Sequence, residues 1–399
     1  MFLSDTDTIT IRAVGDLSLG DSPKMLGRGV RNATRLLGGE YLFADVREML
    51  RADLVFGNLE GVLSDAGYKD RSFHTAQLRG LPMMAEVLRR TGFTVLNVAN
   101  NHIMQYGPQV FHETCETVAR AGIAVVGVRG EGTWHGKPVV MEIKGQRVGL
   151  LGYADPDNYG YDPCYALNVP AKVLADVSRL RTDVDTVIVS LHWGDEFVCC
   201  PPPANRRYGH ALIDAGADIV LGHHPHVVQR IERFHTGWIC FSLGNFISDM
   251  VWNPLTREGL MVAFDIQGHA PHLATVCKTG IDDSFTVSAT PLDLADLDTY
   301  VAPDESLGID QDTYVKLVRS RTSLNRRLGH LHLIRNAFGY HPSVYAQIWF
   351  NSVQSFVKSA VRTAHGFISR LRHVDRVSSP CRATQAGCTT NDGSEEIQP

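Results

Sequence analysis

Between residues 9 and 225 the chain alternates short apolar, β-rich runs with stretches of helical periodicity. "TITIRAVGD" starts the pattern, and "DLVFGN" follows a helical run ending "FADVREMLRA". "FTVLNVANN" follows "PMMAEVLRRTG", "GIAVVGV" follows "PQVFHETCETVARA", "DTVIVSLHW" follows "PAKVLADVSRLRT", and "ADIVLGHH" follows "PPANRRYGHALIDAG". Strand, helix, strand in this rhythm restricts the chain to an α/β fold with mostly right-handed crossovers.

The rhythm then changes. "VVMEIKGQRVGLLGYA" reads as a hairpin turning at Lys144-Gly145, while "WICFSLGNF", "GLMVAFDIQG", "LATVCKTG" and "SFTVSATPL" are strands without long helices between them. These four are expected to form an antiparallel or mixed second sheet. The expected fold class is therefore a four-layered α/β sandwich, two mixed sheets flanked by helices, over residues 8–295. No internal repeat is visible. A basic helical extension is expected over 305–375 and a disordered tail over 376–399, where apolar residues are too few for a core. The extension reads either as helices packed on the domain or as a membrane-surface or partner-binding element carrying Lys358, Arg362, Arg370 and Arg372.

Composition removes several function classes. A net charge of -5 gives no basic surface for nucleic acid. No stretch approaches the ~18 apolar residues of a membrane span, and "MFLSDTDTITIRAVGD" lacks the basic start and apolar core of a signal peptide. A soluble, cytoplasmic protein is expected. The eight cysteines form no CxxC pair, so reduced thiols are expected rather than a zinc-thiolate site.

The function is written where the strands end. "IRAV" ends in Asp16, "LVFG" in Asn58-Leu59-Glu60, "VLNVA" in Asn100-Asn101-His102, "VIVSL" in His192-Trp193-Gly194-Asp195-Glu196, "DIVLG" in His223-His224-Pro225-His226 and "CFSLG" in Asn245. Each alone is more often a cap or a turn. Ligands of open α/β sheets bind beyond the carboxyl ends of the strands, where parallel strands bring such residues together. Carboxylate, amide oxygen and imidazole without thiolate suit one or two divalent ions of the Mn, Fe, Zn, Co or Mg type. Two such ions can share a bridging carboxylate and support phosphoryl displacement by water.

Within "LGHHPHVVQ", proline restricts both itself and the residue before it toward extended backbone. Extended residues two apart project to one side. His224 and His226 are expected to face one site together, leaving His223 as a supporting residue behind it.

At these residues the sequence resembles the CapA-like poly-γ-glutamate capsule biosynthesis family (PGA_cap), within the calcineurin-like metallophosphoesterase superfamily. The matching stretches are "GDLSLG" (15–20), "GNLEGVLSD" (57–65), "NVANNHIMQYG" (97–107), "SLHWGDEF" (190–197), "LIDAGADIVLGHHPHVVQ" (212–229) and "SLGNF" (242–246), in the family's order. The resemblance implies a four-layered sandwich with Asp16, Glu60, Asn101, His192, His224 and His226 as metal ligands. It places Glu60 where the superfamily has its bridging Asp, and His102 where a histidine contacts the phosphate or protonates the leaving oxygen. Two departures stand out. Ser18 replaces the imidazole of the usual Asp-x-His, and Gln105 stands where relatives often carry Asp. Many relatives carry an N-terminal membrane anchor, and none is expected here.

Other residues keep two readings each. Trp193 packs under the site or walls the substrate pocket; Glu196 supports His192 or is an acid in the pocket; Asn245 caps the site or holds its turn. His112 is expected to be structural or exposed, and His74 is a weak pocket candidate. The expected function is a metal-dependent hydrolase of the metallophosphoesterase type acting on a phosphorylated or anionic substrate. The alternatives are a non-hydrolytic accessory protein handling a γ-glutamyl polymer and a tailoring enzyme for a peptide or amide metabolite.

Overall fold

The computed structural model describes residues 8–268, 270–301 and 309–352. The chain divides into a unit ending at Tyr345 and a second beginning at Ala346, of which residues 346–352 are helical. The basic segment with Lys358, Arg362, Arg370 and Arg372, and the expected disordered tail, lie outside the described residues.

In the first unit the strands are β1 (Ile9–Leu17), β2 (Leu54–Leu59), β3 (Val62–Leu63), β4 (Arg79–Gly80), β5 (Val95–Asn97), β6 (Ala124–Val126), β7 (Val139–Ile143) and β8 (Gln146–Ala154). They continue with β9 (Thr186–His192), β10 (Ile219–His223), β11 (Ile231–Phe234), β12 (Gly237–Cys240), β13 (Asn245–Ile247), β14 (Glu258–Gln267), β15 (Ala270–Ile281) and β16 (Val287–Pro291). The helices are α1 (Val30–Leu37), α2 (Met84–Thr91), α3 (Gly107–Arg120), α4 (Pro170–Arg181), α5 (Pro203–Asp214), α6 (Leu294–Tyr300) and α7 (Gln311–Arg335).

One sheet runs β16-β15-β14-β1-β2-β5-β6, with β13 also on β1; the other runs β11-β12-β10-β9-β8-β7. Within the first, β1, β2, β5 and β6 are parallel, and within the second β8, β9, β10 and β12 are. Between the sheets, Ile11, Phe56 and Val95 of one meet Leu150, Ile188 and Leu221 of the other in a shared core. Outside them, Val30 and Leu88 of α1 and α2 cover the first sheet through Val14, Val55 and Leu96. Val177 and Leu212 of α4 and α5 cover the second through Val187 and Val220. This is the expected four-layered sandwich. Strands buried on both faces explain why "LVFGNL" and "TVIVSLH" read as continuous apolar runs rather than alternating ones.

Two expectations are corrected. The late strands do not build the second sheet together: β12 pairs with β10, whereas β14, β15 and β16 extend the first sheet from the free edge of β1, in register Ile9↔Ile266 to Val14↔Met261. Strand partners are set by which long-range edge is open, which local pattern does not record. "FADVREMLRA" is not an α-helix. Residues 39–43 form a 3-10 turn, and 44–50 continue as turns with mixed i→i−3 and i→i−4 bonds. The β7–β8 hairpin does turn at Lys144-Gly145, both with positive φ.

At Gly15, β1 changes partners from β14 to β13. A Cβ there would lie 2.0 Å from the Gly244 carbonyl oxygen, so only glycine permits the crossing. Asp16 is thereby delivered beside Asn245. Among the described residues, no helix is long and apolar enough to cross a membrane.

Candidate metal centre

The carboxyl ends of the parallel strands of both sheets converge. Asp16, Glu60, His192, His224 and His226 come together there, with Asn101 beside them. Three overlapping groups have ligand atoms within 4.8 Å of one another: Glu60, His192 and His224; Asp16, Glu60 and His226; Glu196, His224 and His226. Glu60 belongs to two of these groups, as a bridging carboxylate would.

Glu60 is the hub and is fully buried, yet its Oε1 has no hydrogen-bond partner. Around that oxygen stand Nε2 of His226 at 3.6 Å, Nε2 of His192 at 3.8 Å and Nε2 of His102 at 3.9 Å. Its other oxygen accepts from the Ser18 hydroxyl at 3.3 Å. Ser18 thus contributes a hydrogen bond to Glu60 where relatives would offer an imidazole.

The orientation of His226 follows from its neighbour. Asn245 donates its amide to the Thr256 carbonyl at 2.9 Å, so its Oδ1 is left to accept from His226 Nδ1 at 3.1 Å. The lone pair of His226 Nε2 then points at the Glu60 carboxylate. Two acceptors in that relation repel unless a proton or a cation lies between them. Asn245 therefore serves the site directly.

Asp16 is held by groups to which the sequence reading gave no role. Asn58 Nδ2 donates to Asp16 Oδ1 at 2.8 Å and lies 3.3 Å from His192 Nδ1, while Asn97 donates to Asn58 Oδ1 at 2.8 Å. Asn58 lies in the last two residues of β2 and Glu60 follows the strand directly, and period-two alternation carried one residue further places both on one side. That signal was present in "GNLE". Asp155, immediately after β8, lines a cavity beside His192 and His224 and obeys the same strand-end rule. His223, on β10, is wholly buried behind Asp16, its Nδ1 3.4 Å from Oδ1 and its ring 5.9 Å from that of Phe56. It supports Asp16 and joins none of the three ligand groups.

The His-Pro-His turn reaches its geometry by another route than extended backbone. His224 has φ +96° and His226 φ +57°, both in the left-handed half of the map. The His224 N–H donates to Asp16 Oδ2 at 3.2 Å, and the Pro225 carbonyl accepts from Phe197 N–H at 2.8 Å. These bonds hold two conformations that cost on the order of 1–3 kcal/mol each. Strain of this kind persists where the surrounding structure imposes it, and here it aims two imidazoles at one point.

His102 sits at the rim. Its Nδ1 is 2.9 Å from the Tyr159 hydroxyl, which donates to Gln105 Oε1 at 3.2 Å. The neutral ring therefore carries its proton on Nδ1 and turns Nε2 toward Glu60. Gln105 takes part in this chain at the position where relatives often have Asp. Tyr159 was not foreseen; "DNYGYD" offers only turn residues. Glu196 lies with His224 and His226 and lines the cavity, so it is an acid of the pocket rather than a support for His192. Trp193 belongs to the core beneath: it stacks on Phe241 and donates to the Phe241 carbonyl at 3.1 Å. His112 lies on α3 against Phe111, and His74 is exposed and lines neither cavity at the site.

Electrostatics match the geometry. Burial pushes the Glu60 carboxyl up to about 8, with Asp16 and Glu196 adding to the effect. Burial also pulls His192 well below its usual value and brings His102 down to about 4. For His226, burial acts downward but Glu60 and Asp16 outweigh it, leaving the ring at about 8. Asp16 also resists burial, because His223 and His226 hold its carboxyl below the usual range.

The centre lies between two cavities of about 400 Å³ each. One is lined by Asn101, Asp155, Asp157, Tyr159, His192 and His224. The other reaches from Glu60, His102 and His226 to Lys24, Trp252 and Arg326.

The family model described as "Bacterial capsule synthesis protein PGA_cap" matches residues 10–250. The chain belongs to this family. The PGA_cap stretch holds every residue of the three ligand groups and ends before α7. Among relatives, the chain is 30% identical over 292 residues to the "Capsule biosynthesis protein CapA" of Bacillus anthracis, covering 70% of this chain and 69% of that one. It is 33% identical over 274 residues to the "PGA biosynthesis protein CapA" of Bacillus subtilis, covering 65% and 68%. It is 26% identical over 291 residues to a Mycobacterium tuberculosis protein named a "probable polyglutamine synthesis accessory protein", covering 61% and 75%.

Proposed function

We propose that this PGA_cap protein is a metal-dependent hydrolase of the metallophosphoesterase type, acting on a phosphate-bearing or similarly anionic substrate in the assembly of a glutamate polymer. The polymer context comes from the names of the Bacillus relatives. The chemistry rests on one observation: the buried, unpartnered Glu60 Oε1 faced by three imidazole nitrogens. An ionised carboxylate oxygen buried without a donor costs several kcal/mol, which is why burial raises the Glu60 carboxyl to about 8 and favours its protonated form in the protein by itself. A divalent ion would remove that cost by taking the place of the protons that Glu60 and the His226 ring hold at neutral pH.

The donor set fits one or two such ions of the Mn, Fe, Zn, Co or Mg type. Asp16, Glu60 and His226 would hold one; Glu60, His192 and His224, with Asn101 alongside, would hold another. The group supplies Lewis acidity and a water activated near neutral pH. The chain's own residues do the rest. Asn58 and Asn245 fix Asp16 and His226. Tyr159 fixes the His102 ring, so that Nε2 faces the cavity and can exchange a proton with a leaving oxygen. His102 is neutral in the protein by itself; an anionic group next to it favours the protonated, donating form.

The test is elemental analysis of the purified chain together with hydrolysis of generic phosphomonoesters and phosphodiesters. Wild type is expected to carry metal and to hydrolyse a member of one class, and Glu60→Gln to lose both. Equal metal content in wild type and Glu60→Gln refutes the proposal. The name of the M. tuberculosis relative favours a second reading, in which the centre binds the polymer without cleaving it. Metal-dependent heat on titration with oligo-γ-glutamate, without hydrolysis of any phosphoester, selects that reading.

A further inference from the structure

The larger share of the Lys24–Arg326 cavity is not explained by the metal centre. Away from Glu60 and His226, its wall includes the loop after β1, one face of α7, Trp252 and the acid Glu196. Helix α7 is fixed there: Asn325, buried, accepts from Trp252 Nε1 and Asn253 Nδ2, each at 3.1 Å, and Tyr314 donates to Asp195 at 3.0 Å. Lys24 is clamped between these parts. Its ammonium lies 5.1 Å over the Trp252 ring, and a Cβ on Gly329 of α7 would stand only 2.7 Å from its Cε. Glycine at that helical position is what lets the lysine stem pass.

Lys24 and Arg326 both line the cavity, and among the described residues neither makes an ion pair. Burial pulls the Lys24 ammonium below its usual range; the field of Glu196, in the same cavity, is the strongest charge opposing this, Arg326 adds to it, and Asp249 opposes it more weakly. Two cations on one cavity wall, one of them largely withdrawn from water and neither ion-paired, leave positive charge that Glu196 and Asp249 offset only in part, which favours entry of an anion. A cation–π contact offsets only part of that.

We propose that Lys24 and Arg326 form an oxyanion subsite, which binds a second carboxylate or phosphate group of the molecule presented to the metal centre. The substrate class is thus narrowed to compounds with two anionic groups, one at Glu60 and His226 and one at α7. This deepens the hydrolase reading and rests on it for the first group, whereas the second can be tested without metal.

The full chain, stripped of metal with a chelator, is titrated by calorimetry with inorganic phosphate and with glutarate. Lys24→Met keeps the stem and is expected to weaken binding of the preferred anion about tenfold, the worth of one charged hydrogen bond. Arg326→Gln is expected to weaken it less, because Arg326 is exposed. Lys24→Arg restores binding, and Arg327→Gln, exposed on the same helix, leaves it unchanged. Tighter phosphate assigns a phosphate group to the subsite; tighter glutarate assigns a carboxylate. Circular dichroism and metal content of Lys24→Met, both unchanged, separate this result from loss of the fold or of the metal centre. Equal affinity of wild type and Lys24→Met for both anions overturns the subsite while leaving the metal centre standing.

Discussion

Replacing Asp249 by Asn should make the protein more stable at neutral pH and barely change it in acid. Asp249 is wholly buried, and its Oδ2 accepts from the Ser22 N–H at 2.7 Å. Asp21 is buried nearby, accepting from the Gly27 N–H at 2.8 Å. Both carboxylates close on Gly29, where a Cβ would lie 2.0 Å from Asp249 Oδ2 and 2.8 Å from Asp21 Oδ1. Burial raises Asp249 from 3.8 to about 7, with the Asp21 charge adding to it, and burial raises Asp21 to about 6. The folded protein therefore holds these protons more tightly than the unfolded chain. The associated stability is complete below the unfolded value near 4 and is lost as pH rises through about 7. At roughly 1.4 kcal/mol per pH unit, Asp249 alone accounts for up to about 4 kcal/mol between these limits. An asparagine oxygen can keep the bond to Ser22 and never ionises. Urea denaturation of wild type and Asp249→Asn from pH 4.5 to 8 measures the difference, and the site histidines cancel in the comparison. The variant should gain roughly 2–4 kcal/mol at pH 8 and stay within about 1 kcal/mol at pH 4.5. A variant that is less stable at pH 8, or a difference independent of pH, refutes the assignment of a proton to this pair.

Other consequences are equally direct. Tyr159→Phe removes the hydroxyl that orients His102 and should lower phosphoester turnover about tenfold while leaving metal content unchanged; unchanged turnover would free His102 from Tyr159. Trp193→Ala should cost about 3–5 kcal/mol in denaturant unfolding, because Trp193 is core, whereas Trp193→Phe should cost about 1 kcal/mol for its bond to Phe241. Gly222→Ala places a Cβ 1.9 Å from the Phe241 carbonyl oxygen, with no side chain to give way. It should destabilise by at least about 1–3 kcal/mol, and a neutral result would mean that β10 and β12 can separate there.

Much of this protein is legible in its sequence. Alternating strand and helix patterns fix the α/β class, because hydrophobic periodicity is local and physical. The residues at the strand ends fix the ligand types, because parallel strands in one sheet deliver their carboxyl ends to one edge. The strand-end rule singles out Asp16, Glu60, His192, His224 and His226, which the structure brings together; Asn58 and Asp155 obey the same rule although neither was given a role. What the sequence could not decide are relations between distant segments. The free edge of β1, not local propensity, sent β14–β16 to the first sheet. Two left-handed histidines, held through Asp16 and Phe197 rather than by an extended pleat, aim the His-Pro-His turn. Tyr159, Lys24 and Arg326 carry no motif, and Arg326 lies beyond the stretch that matches the family. They matter only because α7 and the loop after β1 line the same cavity as Glu60 and His226, and the free energy of burying charge depends on who stands across the cavity, which no local pattern encodes.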